Sequence, residues 1–263
     1  MKLRVIFAFF LTLNGMAGYL FAKDDTVRWN EHRSAHFIIY YKDAPRDFIK
    51  NVEDTAEIYY QEITRNLGFT RDKSWSWEDR AKIFIYSDAD DYVGSAKQAK
   101  WSHGAASAFE KEIRTFPAAN GFFDSILPHE LGHIIFREFV GRNPYIPSWL
   151  DEGVAMYQEK AKRWGANKDV KKAMEEDRFL PLGELSTVKL YSDTERELVD
   201  LFYAEAASIV YYLISEHGEF KFADFCRELK DGKHFEKALQ SAYIRFDNLD
   251  ELNKTWVDYL KHR

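Results

Sequence analysis

The sequence predicts an α+β fold: an N-terminal lobe with a small mixed sheet and helices, then a mostly helical C-terminal lobe. Three observations predict it. Up to about residue 122, short β-branched and aromatic runs alternate with helical patterns. From Asp124 onward the apolar spacing is helical almost throughout. The composition shift near residue 122 marks a lobe boundary without a recognisable linker, giving lobes of 23–122 and 123–263.

Residues 1–22 read as a secretory signal. Lys2 and Arg4 form a positive start, Val5 to Leu13 an apolar core, and Leu20-Phe21-Ala22 a cleavage site before Lys23-Asp24-Asp25. Export to a periplasmic or extracellular space follows. The alternative is an uncleaved anchor that keeps the chain near a membrane, since Asn14 and Gly15 interrupt the apolar run only briefly. The apolar core is too short to span a bilayer alone.

His36 to Tyr41 is the first strand. Pro45 opens an amphipathic helix to about Leu67, with Gly68 as its cap. Ser74 to Arg80 is a polar loop carrying Trp75 and Trp77, and Ala81 to Tyr86 is the second strand. Asp88 or Asp90 caps a short helix to about Lys97. Ala105 to Phe109 and Ile113 to Phe116 are two more strands around a polar turn. In the helical lobe, breaks are expected at Gly141, Gly165, Pro181 to Gly183, Gly218 and Gly232.

Composition narrows the function. Hydrophobic residues make up 46% of the 263 and aromatics 16%, enough for a sizeable core. A mature chain from Lys23 carries 35 basic against 43 acidic residues, a net charge of −8. With no basic block, nucleic acid is excluded as an expected partner. Cys226 is the only cysteine, so there is no internal disulfide and no cysteine metal cluster. It reads as a buried, inert thiol.

The chemistry centres on His129-Glu130-Leu131-Gly132-His133, an H-E-x-x-H pattern. Positions four apart share a helix face, so both imidazoles can reach one ion while Glu130 projects beside a bound water. Ser125 or Asp124 is the expected N-cap, Pro128 falls in the first turn, and Gly141 ends the helix. A core helix whose histidines pair with carboxylates is the alternative. Two histidines hold a catalytic zinc poorly without a third ligand. An H-x-x-G-x-x-H extension is excluded, because Phe136 and Phe139 stand at its glycine and histidine positions. Eighteen residues past His133, Glu152 lies in a second helix beginning at Ser148, with Ser148 as N-cap and Asp151 completing a capping-box-like pair. From the first turn of that helix, Glu152 can face His129 and His133.

Trp149-Leu150-Asp151-Glu152-Gly153-Val154-Ala155, at this distance from His-Glu-Leu-Gly-His, resembles the W-L-N-E-G-x-A segment of the gluzincin zinc metallopeptidases, which include the thermolysin-like and alanyl-aminopeptidase families. The resemblance implies a zincin-like fold with a zinc site at the lobe junction, one catalytic Zn2+, and Glu152 as third ligand beside His129 and His133. Asp151 replaces the usual asparagine. It also implies an oxyanion-stabilising tyrosine fifteen residues before a glycine, which maps onto Tyr203 and Gly218. An ordinary packing tyrosine is the alternative for Tyr203, Tyr211 and Tyr212 read as core, and Tyr145 and Tyr157 are outside candidates. With His36-Phe37-Ile38-Ile39-Tyr40 and the terminal Trp256 to Leu260 segment, the chain is similar to exported peptidase MA-like domains over residues 29–261.

The glutamate with which aminopeptidases grip a free N-terminus has no counterpart. Its region reads His103-Gly104-Ala105-Ala106-Ser107-Ala108-Phe109, and Glu110 comes several residues late. An endopeptidase is therefore expected, acting on a peptide or protein with Glu130 as general base. A non-proteolytic zinc-binding or assembly module, and hydrolysis of a non-peptide amide or cell-wall peptide, are the rival readings. His103 reads as a solvated loop residue.

Overall fold

Side chains in β2 (Phe37–Tyr41), β3 (Ala81–Ile85) and β5 (Glu112–Thr115) alternate between buried and half-buried, the two-residue period of a strand. The computed structural model describes residues 29–262 except 70–74, 76–78, 97–103, 109, 118, 144 and 192. The expected signal segment 1–22, Trp77, His103 and Phe109 lie outside the described residues. β1 (Asn30–Arg33) and β4 (Gly104–Ser107) complete a five-stranded mixed sheet in the order β1-β2-β3-β5-β4. The three inner strands are parallel and both edge strands antiparallel. Parallel pairing of β2 with β3 requires a crossover, which α1 (Arg46–Asn66) supplies. β1 was not expected: Asn30-Glu31-His32-Arg33 carries no apolar alternation, and backbone pairing along an edge is what makes it a strand.

Contacts divide the chain into two units. One holds the described residues up to Glu57 and those of 73–127; the other holds those of 58–72 and 128–263. In the first unit, Glu57 of α1 gathers the start of β2. Its carboxylate accepts from Ser34 Oγ (2.6 Å) and the His36 backbone N–H (2.9 Å), and meets His36 Nδ1 at 2.5 Å. The helix α2 (Ala89–Ala96) is capped by Asp88, whose Oδ1 accepts from the Asp91 N–H at 2.9 Å.

The second unit is helical. α3 (Leu127–Val140) ends at Gly141, whose φ of 71° is left-handed backbone that suits glycine. After it come α4 (Ser148–Gln158), α5 (Lys160–Glu175), the single turn α6 (Leu182–Leu185), α7 (Arg196–His217), α8 (Glu219–Lys230), α9 (Phe235–Ala242) and α10 (Leu249–His262). Two glycines set the closest helix approaches. A Cβ on Gly132 of α3 would lie 2.9 Å from Ala155 Cα on α4. A Cβ on Gly153 of α4 would collide with the backbone carbonyl of Ala206 on α7. Trp149 is fully buried and donates from Nε1 to Ser186 Oγ at 2.9 Å, pinning the start of α4 beside α6.

Four local expectations are corrected. Ser125 and Asp124 are not N-caps. Gly121, at φ 75°, starts a π-helical turn over Phe122–Ile126 that runs into α3, and the Ser125 N–H already bonds the Gly121 carbonyl at 2.9 Å. Ser148 is the first helical residue of α4, and extended Pro147 occupies the cap position. Asp151 closes no capping box, because its carboxylate is committed to other partners. Gly165 does not break a helix; it lies inside α5, and the break falls at Glu159, whose backbone is extended.

Candidate metal centre

His129 and His133 are one helical turn apart on α3, and Glu152 comes from α4, so all three belong to the helical unit. They offer ligand atoms that lie within 4.8 Å of one another, and all three side chains are buried. The two Nε2 atoms are 3.2 Å apart. Glu152 Oε2 is 3.7 Å from His129 Nε2 and 3.6 Å from His133 Nε2. A point equidistant from the three lies about 2.0 Å from each, the bond length of zinc to nitrogen or carboxylate oxygen.

The far sides of both rings are held by carboxylates. His129 Nδ1 meets Glu159 Oε1 at 2.9 Å, and His133 Nδ1 meets Asp151 Oδ1 at 3.1 Å. A neutral imidazole that donates from Nδ1 keeps its lone pair on Nε2. Two lone pairs and a carboxylate oxygen then converge on one small volume. Glu152 Oε2 is buried with no hydrogen-bond partner among the described residues. Such a set is satisfied by a positive charge between its atoms, a proton or a metal cation in its place, so these residues fit a metal.

Arg137 supports this arrangement from one turn along α3. Its Nε and Nη2 donate to Asp151 Oδ2 at 2.9 and 2.8 Å. Burial alone would raise the Asp151 pKa, but His133 and Arg137 outweigh it and hold the carboxyl below its usual range. Burial also disfavours charge on His133, yet Asp151 and Glu152 prevail and push its pKa well up. A metal must therefore displace a proton to bind there.

Glu130 is buried next to the histidines, and its Oε1 lacks a hydrogen-bond partner among the described residues. Burial raises its pKa; His129 and His133 oppose this, and Glu152 and Glu159 add to it. Tyr203 on α7 packs against Met156, Ala166 and Ala207. Its pKa is driven far up by burial and by the charges of Glu152, Glu130 and Glu159, so the phenol lies within electrostatic reach of the cluster and keeps its proton. Tyr212 is buried core, Tyr157 is buried under the Arg163 guanidinium, and Tyr145 is largely exposed and stacks on His234.

Sequence reasoning missed Glu159 and the orienting part of Asp151. Asp151 had a signal, because a charged residue stood where the resembling segment carries asparagine. Glu159 had none, since it depends on where α4 breaks.

The family model described as "Peptidase MA superfamily" matches residues 69–262. Among solved structures, the native LTA4 hydrolase of yeast is similar in fold, with a TM-score of 0.53 at 15% identity over 87% of this chain. This chain spans 38% of that one. No curated protein matches it in sequence.

Proposed function

The chain belongs to the Peptidase MA superfamily, and from that premise we propose that it is an exported zinc-dependent endopeptidase acting on peptides or proteins. Family membership and the His-His-Glu cluster support a zinc metallopeptidase in general. The observation that supports metal-dependent hydrolysis is the pair of Nε2 atoms 3.2 Å apart, each with its other ring nitrogen on a carboxylate.

His129, His133 and Glu152 would hold the zinc. When bound, zinc supplies a Lewis acid that polarises the scissile carbonyl and lowers the pKa of water. Glu130 takes the proton of the attacking water on its carboxylate and passes it to the leaving amine. Its raised pKa suits both halves of that transfer. Tyr203, protonated, donates to the developing oxyanion. Asp151 and Glu159 keep the two imidazoles in the Nδ1–H form and aimed. Endo- rather than exopeptidase activity rests on the sequence alone, which lacks an N-terminus-gripping glutamate near Gly104 to Phe109.

Glu130→Gln removes the base without removing a ligand. Turnover of a peptide library should fall by about a hundred- to ten-thousand-fold, with zinc stoichiometry by elemental analysis unchanged. Cleavage at the wild-type rate would refute the mechanism. Stoichiometric zinc with no cleavage by the wild-type chain would instead favour a metal-bearing module that is not a peptidase.

A further inference from the structure

α5 carries six basic against two acidic residues, in a chain whose overall charge is −6. Its inner side buries Ala166, Val170 and Ala173. On its outer side Lys160, Trp164, Lys168 and Lys172 follow one another at four-residue spacing, all exposed. Trp164 is 82% exposed, which is unusual for the largest apolar side chain. At the start of the stripe Lys160 pairs with Glu62 of α1 at 3.7 Å. One turn before Glu62 stands Ile58, itself 54% exposed. Two apolar side chains thus lie one turn either way from the same ion pair, both within the helical unit.

We propose that this stripe docks the protein on an anionic lipid bilayer. An indole is suited to the headgroup layer, where its ring is apolar and its N–H still meets water. Lysines in line with it reach lipid phosphates by extending their stems. A basic helix on an acidic protein orients the molecule, because an anionic surface attracts this side and repels the remainder. An acidic polypeptide would satisfy the lysines but leave Trp164 without an apolar phase, so the bilayer is favoured.

The test uses the full chain titrated with phosphatidylcholine vesicles, with or without phosphatidylglycerol and with brominated acyl chains that quench tryptophan on contact. Quenching of the wild type should require phosphatidylglycerol and weaken with salt. Trp164→Phe should lose that part of the quenching. Lys168→Ala with Lys172→Ala should raise the lipid needed for half-maximal quenching by about thirtyfold. All three positions are exposed, and unchanged thermal midpoints would show that the variants are folded. Equal quenching in wild type and Trp164→Phe, or equal quenching on neutral and anionic vesicles, would overturn the proposal. So would Trp164-dependent fluorescence changes produced by polyglutamate but not by vesicles. Glu130→Gln should respond to lipid as the wild type does, which separates this inference from the catalytic one.

Discussion

Asp151 on α4 and Glu205 on α7 are both buried carboxylates in the helical unit, and burial acts on both to raise the pKa. Asp151 is met by His133 and by two Arg137 donors, and ends below its usual value. Glu205 is met by one backbone donor, the Leu180 N–H at 2.9 Å. That bond lowers its pKa only partly and nearby Glu184 raises it further, so Glu205 sits at about 8. Its Oε2 is buried with no hydrogen-bond partner among the described residues. A buried acid keeps its charge only where the fold supplies counter-charge and enough donors. The chain supplies both beside its His-His-Glu cluster and neither at Glu205.

The largest expected effect comes from breaking the well-partnered acid. Asp151→Ala leaves Arg137 without its acceptor and His133 without its orienting carboxylate. Removing one partner of a buried pair costs about 3 kcal/mol or more, read as a lower urea midpoint. Zinc affinity should also fall by roughly tenfold to a hundredfold, measured by competition with a chelator. Wild-type affinity in this variant would show that the ligand atoms are placed without Asp151.

What could be read from the sequence follows the same division between local and distant causes. The helix around His129 and His133, its end at Gly141 and the strands at 37–41 and 81–85 follow from local periodicity and punctuation. Glu152 was legible because a motif at fixed spacing encodes how two helices return alongside each other. The π-helical start of α3 was not legible, because it is set by a single left-handed Gly121 preceding a run that reads as ordinary helix. Neither was the break at Glu159: Gln158-Glu159-Lys160 contains no helix-breaking residue, while Gly165, which does suggest a break, is accommodated inside α5. In the helix-packing glycines the sequence carries residues whose reason only tertiary contact reveals. Gly153 reads as part of a metal motif, yet what it does is admit the backbone of α7.

Glu205 offers an intermediate effect of opposite sign. Its folded pKa of about 8 lies above the ordinary 4.5, so the folded state holds the proton more tightly. The stabilisation is full below the unfolded value and is lost as pH rises through the folded one, at up to about 1.4 kcal/mol per pH unit. Glu205→Gln cannot ionise. Its urea midpoint should decline less than the wild type's between pH of about 5 and about 8, making it the more stable chain on the alkaline side. Parallel pH profiles for the two chains would mean that Glu205 is ionised in the fold, and the contrast with Asp151 would fail.

The smallest effect separates charge from orientation at the candidate metal site. Glu159 holds His129 as Asp151 holds His133, at 2.9 and 3.1 Å. Glu159→Gln keeps an oxygen that accepts from His129 Nδ1 and removes only the negative charge. If orientation is what the carboxylates supply, zinc affinity should fall by no more than about tenfold, the low end for such partners, and the urea midpoint should barely move. A loss as large as that of Asp151→Ala would assign the work to charge. The paired carboxylates would then act chiefly by strengthening the imidazoles as donors to the metal, with their aim fixed by α3 alone.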